Sequence, residues 1–395
     1  MRKLYCLIIL LVQFCSLLPA SEVHPPVPFA LVDNFIYLKG AINELADLNL
    51  VFDTGSSANV IDRDLVRKIR LPSGKRLPTL GAGASRSFFF YPQSRMKIGP
   101  LLLKDFVMIG LSLQGIADKT GYRVDGLVGI PLARKMLISI NYRENLIRFF
   151  HSNKNLDTSD YLSVKTAGYY HGIPLLEMNL RIADGRILPG RFLLDTGADI
   201  PLILFPAFIR KNRVMQGIGR HYPAYIYGLE NSKNSVQVGR LPELSIARLK
   251  IENPPVYLPK NEAGIFAADS IDGIVGNEIL KRFNIILHLQ EDSVYLQANE
   301  MIKDPFKMDY SGLLLRIEGR SIKVHKVIRR SPAASSAIRP GDTITAVNGR
   351  TVEAADLLRV GSILSQPGAR VRIQIRPRNT AEYRLITLRL RDQNL

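Results

Sequence analysis

Cysteine is almost absent from this chain of 395 residues, which has only Cys6 and Cys15, both close to the N-terminus. The rest of the sequence therefore excludes a disulfide framework, a thiolate nucleophile and a cysteine-ligated metal site. The six histidines show no paired ligand spacing. Neither Gly-x-Ser-x-Gly nor Gly-Lys-Ser/Thr occurs, which argues against a serine nucleophile elbow and a phosphate-binding loop. We expect neither a metal nor another cofactor.

A second apolar run of about 20 residues, long enough to span a membrane, is also missing. Residues 1–20 instead have a basic start, the apolar run Leu4–Leu18 and a small-residue cleavage point after Ala20, which is typical of a secretory signal peptide. A retained anchor helix and lipidation at Cys15 stay open as alternatives. We expect an exported protein that is periplasmic, outer-membrane-associated or extracellular, and that meets the membrane only through an uncleaved signal.

The charge of the chain is unbalanced toward its C-terminus. The net charge is +18, and the residues from Ser311 onward contain 16 Lys and Arg against 6 Asp and Glu. Such a segment could hold nucleic acid or an anionic membrane surface. From Arg370 to Arg391, however, the arginines mostly alternate with apolar residues, which is typical of the outer face of strands. We interpret them as a solvated basic face and expect no specific nucleic-acid partner.

Short β-rich runs separated by turn residues dominate the chain after residue 25, and helical periodicity is scarce. Examples are Phe35-Ile36-Tyr37-Leu38, Ile138-Ser139-Ile140, Leu146-Ile147-Arg148-Phe149-Phe150 and Ser293-Val294-Tyr295-Leu296. Short strands at close spacing predict an all-β-dominated fold.

Two Asp-Thr-Gly triplets stand in matching surroundings, each directly after an apolar run. The first is Asp53-Thr54-Gly55 and the second is Asp195-Thr196-Gly197. At nearly the same distance after each triplet, an Asp-Gly dipeptide leads into Leu127-Val128-Gly129 or Ile274-Val275-Gly276, and a strand pair with a polar turn follows. Because these landmarks recur in the same order, the sequence predicts a duplicated unit that brings two carboxylates together.

The residue types in each triplet suit a paired-carboxylate site. The apolar lead-in predicts a buried strand that holds the carboxyl rigidly at its end. Gly55 and Gly197 allow close backbone approach and leave amides that can donate to the carboxylates. Thr54 and Thr196 can hydrogen-bond across the two copies. Two adjacent carboxyls that share one proton can divide the roles of base and acid in adding water to an amide.

These motifs resemble those of the pepsin and retropepsin superfamily of aspartic peptidases, over residues 27–298. The resemblance implies two tandem acid-protease lobes in a pepsin-like bilobal β architecture, which we place at residues 21–152 and 153–300, after the signal peptide. By that match Asp53 and Asp195 are the catalytic pair, and Thr54, Gly55, Ser56, Thr196 and Gly197 support the dyad.

Two features of the resemblance vary between family members. Ser56 follows the first triplet and Ala198 the second. In the family, that serine can donate to the outer oxygen of the aspartate, so we expect Asp53 to be the more readily ionised partner.

Active members also close a β-hairpin over the substrate. The candidates are Ser85–Pro92, with Tyr91 as the flap residue, and Arg220–Gly228, although a core or edge strand would look the same.

The tail, residues 311–395, resembles a PDZ domain of the bacterial exported-protease type, a small β-sandwich or barrel with short helices. Its motifs are Ser-Pro-Ala-Ala, starting at Ser331, and Ile338-Arg-Pro-Gly-Asp-Thr-Ile344, which leads to Asn348-Gly349. The resemblance implies a carboxylate-binding loop at Gly312, Leu313, Leu314 and Leu315, where backbone amides would capture a peptide C-terminus. The second glycine of the usual loop is missing, and a module that only braces the protease is the alternative.

Together, these resemblances imply an aspartic endopeptidase that hydrolyses peptide bonds in polypeptide substrates, with water activated by Asp53 and Asp195. The PDZ domain would recruit or position substrate. The alternative is a non-catalytic exported protein that uses the same cleft and PDZ domain to bind peptides or to act as a scaffold.

Overall fold

The computed structural model describes residues 24–67, 75–81, 84–152, 156–228, 233–306 and 309–391. The predicted signal peptide, with both cysteines, lies outside these ranges. The described chain is mostly β-structure, as predicted, with short helices between the strands. Within these ranges, no helix is long and apolar enough to cross a membrane.

The first half of the chain forms one β-rich lobe. Its elements in order are β1 (Val27–Val32), β2 (Phe35–Ile42), β3 (Leu45–Asp53), β4 (Asn59–Asp62), α1 (Arg63–Val66), β5 (Lys75–Gly81), β6 (Ala84–Ile98), β7 (Leu101–Leu111), α2 (Gln114–Thr120), β8 (Gly126–Gly129), α3 (Pro131–Lys135), β9 (Leu137–Asn141) and β10 (Leu146–Phe150).

The second lobe repeats this order with some of its long strands divided. Its elements are β11 (Leu162–Lys165), β12 (Tyr169–Tyr170), β13 (Ile173–Arg181), β14 (Ile187–Asp195), β15 (Leu202–Leu204), α4 (Pro206–Lys211), α5 (Val214–Gly217), β16 (Tyr222–Tyr227), β17 (Lys233–Arg240), β18 (Glu243–Ile246), β19 (Leu249–Glu252), β20 (Pro255–Pro259), β21 (Gly273–Gly276), α6 (Asn277–Leu280), β22 (Phe283–His288) and β23 (Ser293–Ala298).

The predicted duplication is visible in how the strands pair. In the first lobe β3 runs parallel to β8, with Asp53 opposite Gly129, and β4 lies antiparallel on the other side of β8. In the second lobe β14 runs parallel to β21, with Asp195 opposite Gly276, and β15 lies antiparallel on the other side of β21. The same three-strand arrangement therefore carries each Asp-Thr-Gly triplet.

A shared sheet joins the two lobes. Its strands follow the order β11, β23, β22, β9, β10 and β1, so that equivalent strands of the two lobes lie on either side of its centre. At the centre, β9 and β22 pair antiparallel, with Ser139 opposite Ile286. Because this pairing relates the lobes by an approximate two-fold rotation, it fixes the positions of the two triplets relative to each other.

One large apolar core runs through both lobes, and the strands that end at the aspartates lie within it. Phe52 and Leu50 of β3 and Phe192 and Leu194 of β14 are fully buried. The continuous apolar run before each triplet reflects burial on both faces of the strand, which is the environment of a central rather than an edge strand.

The C-terminal domain has its own core. Its elements are β24 (Leu313–Glu318), β25 (Ser321–Val327), β26 (Thr343–Val347), β27 (Arg350–Thr351), α7 (Leu357–Leu364), β28 (Arg370–Arg376) and β29 (Arg384–Arg389). Asn348 and Gly349 both have positive φ in the β26–β27 turn, as an Asn-Gly hairpin requires. On β28 the arginines at both ends and Arg372 are exposed, while Val371 and Ile373 are buried.

The C-terminal domain contacts both lobes. Beside α2 of the first lobe, Gly121 faces Ile317 of β24, so closely that a Cβ on the glycine would lie 3.5 Å from Cδ1 of the isoleucine. At the second lobe, the Lys326 ammonium lies 3.6 Å from the centre of the Tyr225 ring. The domain is therefore packed against the lobes rather than suspended from a free linker.

Candidate active site

The two aspartates meet between the lobes. Each is the last residue of a strand, β3 or β14, and the two carboxyl groups come close enough to interact electrostatically. A Cβ placed on Gly55 would overlap the carboxyl of Asp195, and a Cβ placed on Gly197 would overlap the carboxyl of Asp53. Each carboxyl therefore occupies the space that the glycine of the opposite triplet leaves open, which is why a side chain is excluded at both positions.

The amides of the same glycines orient the carboxyls. Gly55 N–H donates to Asp53 Oδ1 and Gly197 N–H donates to Asp195 Oδ1, both at 2.9 Å. The pair is thus held by equivalent bonds in the two loops.

The two threonines tie the loops together in a reciprocal set of hydrogen bonds. Thr54 N–H donates to Thr196 Oγ1 at 3.0 Å, and Thr196 N–H donates to Thr54 Oγ1 at 2.9 Å. The Thr54 hydroxyl then donates to the Leu194 carbonyl and the Thr196 hydroxyl to the Phe52 carbonyl. Because both threonines are fully buried, these bonds form out of competition with water.

The recurring hydrophobic-hydrophobic-Gly segments pack directly behind the triplets. Gly129 and Gly276 lie against carbonyl groups of the Asp-Thr-Gly loops, at distances that leave no room for a Cβ. The aspartate that precedes each segment fixes the supporting strand, because Asp125 accepts a hydrogen bond from Asn49 N–H (2.8 Å) and Asp272 accepts one from Arg191 N–H (2.7 Å). The two hydrophobic-hydrophobic-Gly segments thus form the layer directly behind the Asp-Thr-Gly loops.

Burial and mutual repulsion separate the proton affinities of the two carboxyls. Burial raises the pKa of Asp53 well above its usual range, and the charge of Asp195 raises it further. Burial raises the pKa of Asp195 to about 6, against the opposing effect of hydrogen bonds from Gly197 and Asp53. Because two like charges this close cannot both form without a large cost, the two carboxyls share one proton over a range of pH.

The expectation that the Ser56 hydroxyl favours the ionised form of Asp53 is wrong. Ser56 Oγ donates its proton to the Ala58 carbonyl at 2.7 Å, and a hydroxyl has one proton to donate. The Ser56 amide donates to the backbone carbonyl of Asp53 at 3.3 Å. The hydroxyl that distinguishes Ser56 from Ala198 is thus directed away from the Asp53 carboxyl.

Comparison with known protein families bears directly on this arrangement. A family model described as aspartyl protease matches residues 38–132, and a PDZ domain model matches residues 302–376. The chain joins an aspartyl protease domain to a PDZ domain. No curated protein matches it. The aspartyl protease match covers the first triplet and ends before the second lobe, whose strands repeat the pairing of the first. Among the described residues, no group of three His, Cys, Asp or Glu side chains could hold a metal ion.

A polar network behind the Asp-Thr-Gly loops, buried at Tyr142 and Asn277 and exposed at Lys119, was not predicted. Tyr142 of the first lobe donates to Asn277 Oδ1 at 2.5 Å, and Asn277 Nδ2 donates to the Asn34 carbonyl, also at 2.5 Å. Asn34 Nδ2 donates to the Asp199 carbonyl at 2.7 Å, and Lys119 of α2 forms an ion pair with the Asp199 carboxylate. These contacts connect both lobes to the loop that follows Asp195. The position of Asn277 directly after the repeated Gly276 is the only sequence signal that could have identified it.

The flap candidates occupy equivalent hairpins in the two lobes of the protease domain. β5 and β6 pair antiparallel in the first lobe, as do β16 and β17 in the second, and both hairpin tips lie outside the described residues. β5 lies against residues Gly264–Ala267 of the second lobe, so this hairpin reaches across the cleft between the lobes. Tyr91 is opposite Met108, with its ring packed over Gly110, in the body of the first lobe. Its role in a flap stays a prediction.

The predicted carboxylate-binding loop of the PDZ domain is at the start of β24, with Leu314 and Leu315 paired to β25 across a bulge. The amides of Ser311 and Gly312 donate to the side chain of Asp309. The ligand role of Gly312–Leu315 stays a prediction, and these bonds add a side chain that the sequence did not single out.

Proposed function

We propose that the protein is an aspartic endopeptidase in which Asp53 and Asp195 activate one water molecule for attack on a peptide bond of a polypeptide substrate. The observation that carries this proposal is the pair of partly buried carboxyls that face each other between the two lobes, the first of which matches the aspartyl protease family. Each carboxyl is positioned by an equivalent amide, so the pair has the rigidity that general acid–base catalysis requires.

We assign the shared proton to Asp53 in the resting protein, and the proposed reaction follows from that assignment. The Asp195 carboxylate accepts a proton from the water as its oxygen bonds to the scissile carbonyl carbon, while Asp53 gives its proton to the carbonyl oxygen. The resulting diol collapses when the C–N bond breaks, and the proton that Asp195 holds goes to the departing nitrogen. The diol hydroxyl returns its proton to Asp53 as the new carboxyl group forms, which restores the starting state.

Cleavage of unfolded casein by the purified protein, measured at several pH values with and without pepstatin, tests the proposal. We expect cutting that pepstatin blocks. Retained peptide binding without cutting at any pH would instead support the non-catalytic peptide-binding or scaffold protein. In both cases we propose an exported location, because residues 1–20 have the pattern of a secretory signal. N-terminal sequencing of protein recovered from the periplasm or medium, with a start at Ser21, tests that location.

A further inference from the structure

The loop that leads into β24 of the PDZ domain folds around a carboxylate supplied by its own chain. Ser311 N–H donates to Asp309 Oδ1 at 2.9 Å and Gly312 N–H donates to Asp309 Oδ2 at 2.8 Å. The Ser311 hydroxyl donates to Oδ1 at 2.5 Å and accepts from Leu313 N–H at 3.0 Å. The amides of Ser311 and Gly312 therefore bind the Asp309 carboxylate directly, and the amide of Leu313 reaches it through the Ser311 hydroxyl. Of these three residues, Gly312 and Leu313 belong to the predicted carboxylate-binding loop, and Ser311 directly precedes it.

The loop is held in this shape by the rest of the domain. Gly312 has a φ of 77°, and a Cβ there would overlap the side chain of Ser331. The carbonyls of Ser311 and Gly312 accept hydrogen bonds from Ala333 N–H (2.9 Å) and Ile328 N–H (2.8 Å). Because the carbonyls are fixed on one side, the amides point together to the other side. Successive backbone N–H groups in this arrangement form an anion-binding concavity.

We propose that Asp309 is a built-in ligand of the PDZ carboxylate-binding loop, so that the C-terminal carboxylate of a peptide binds at these amides only when it displaces the Asp309 side chain. Two carboxylates cannot share the same few donors, because their charges repel at close range. A bound peptide terminus and the Asp309 contact therefore exclude each other.

The balance between the two ligands follows from proximity and solvation. A side chain two or three residues from its donors is present at a high effective concentration, on the order of millimolar or more, so a free peptide competes at a disadvantage. Burial opposes the Asp309 contact, because it raises the pKa of this carboxyl to about 6 against the hydrogen bonds from Ser311 and Gly312. Desolvation thus weakens the binding of the Asp309 carboxylate to the loop amides. A ligand that binds these amides more tightly can therefore displace it.

Peptide retention by the immobilised full-length protein tests this displacement. All proteins carry Asp53→Asn so that no peptide is cut, and the probe is a random decapeptide pool with a free C-terminal carboxylate, compared with the same pool amidated. With Asp309→Ala we expect at least about tenfold more retention of the carboxylate pool than with Asp309 present, and no change for the amidated pool. Asp356→Ala is the matched control, because Asp356 accepts from Glu353 N–H near α7 and makes none of the loop contacts; it should leave retention unchanged.

A second measurement examines the loop without a peptide. Acetate should raise the thermal unfolding midpoint of the Asp309→Ala protein up to a saturating value, and acetamide should not change it. The midpoint of the protein with Asp309 present should respond to neither compound. If Asp309→Ala does not fold, Asp309→Asn removes the charge at constant shape and should increase retention of the carboxylate pool several-fold. Equal carboxylate retention with and without Asp309 would overturn the proposal. So would an Asp309→Ala protein with neither a carboxylate preference nor a saturable acetate response.

Discussion

Gly55 lies against the carboxyl group of Asp195, so closely that no side chain fits between them. Gly197 has the same relationship to Asp53. The two lobes thus contribute to each half of the site, and neither carboxyl is positioned by its own lobe alone.

Under the proposed function, Gly55→Ala should therefore abolish casein cleavage while the protein still folds. The added methyl group must displace the Asp195 carboxyl from its partner, and a displacement of about 1 Å in a catalytic group costs on the order of 10²-fold in rate. The measurement is casein cleavage per mole of folded protein. Gly361→Ala is the control, because a Cβ at Gly361 meets nothing within 4 Å, and it should retain full activity.

Thr54→Val should destabilise the protease domain by about 1–3 kcal/mol. The change leaves the buried Thr196 amide without its acceptor and the Leu194 carbonyl without its donor, which is the cost of unsatisfied buried polar groups. Urea unfolding would measure this, with Thr54→Ser as the variant that restores the hydroxyl and most of the stability.

The double variant Thr54→Val/Thr196→Val provides the corresponding test of coupling. Because the two threonines share their hydrogen bonds, its destabilisation should differ from the sum of the single effects by at least about 0.5 kcal/mol. Additive single effects would mean that the two loops are not joined as the structure shows.

The activity should rise with pH through about 6. Water activation requires Asp195 to be ionised, and burial raises the pKa of that carboxyl to about 6, so activity is lost as the pH falls below this value. At higher pH the activity should fall again when the pair loses its remaining proton, because burial and the charge of Asp195 raise the pKa of Asp53 well above its usual range. A profile of kcat/KM against pH reports both limbs, and the apparent values belong to the pair.

Ser56→Ala tests whether the Ser56 hydroxyl influences the ionisation of Asp53. Since the Ser56 hydroxyl donates to the Ala58 carbonyl, its removal should leave the acid limb where it is in the unchanged protein. An acid limb that moves upward in Ser56→Ala would instead show that the hydroxyl stabilises an ionised Asp53. Full activity at pH 3 in the unchanged protein would contradict the assigned protonation state.

The sequence was sufficient to predict that the two Asp-Thr-Gly triplets meet and that the repeated segments support them, because these features depend on local patterns that occur twice. An apolar run ending in Asp-Thr-Gly requires a buried strand and a tight loop wherever it occurs. The Asn348-Gly349 turn was predictable for the same reason, since its positive φ values restrict the residue types.

Contacts between distant parts of the chain could not be predicted in this way. The bond from Asn277 to the Asn34 carbonyl depends on how the lobes meet, and the direction of the Ser56 hydroxyl depends on a single rotamer. Asp309 precedes the PDZ motif and has no recognisable pattern of its own. Its position in the loop follows only from the path of the chain.

Arg282→Ala should destabilise the second lobe and release the segment that leads to the PDZ domain. Arg282 is 1% exposed, pairs with the buried Glu278, donates to the Met301 and Asp304 carbonyls, and stacks on Phe306. Removing one partner of a buried ion pair costs about 3–5 kcal/mol. The control is Arg316, which is 52% exposed and pairs with Glu318. Arg316→Ala should lower the free energy of unfolding by at most about 1 kcal/mol. Equal urea midpoints for the two variants would contradict this account.

The central claim is that Asp53 and Asp195 act as one catalytic unit, and casein cleavage by amide variants tests it most directly. Asp53→Asn and Asp195→Asn keep the shape of each side chain, and each should lower the initial rate by at least about 10³-fold, because either change removes the shared proton chemistry. Asp47→Asn, an exposed position on the same strand as Asp53, makes the same change in charge and should cleave at the unchanged rate. Substantial cleavage by either dyad variant, at a rate comparable to that of Asp47→Asn, would contradict the account.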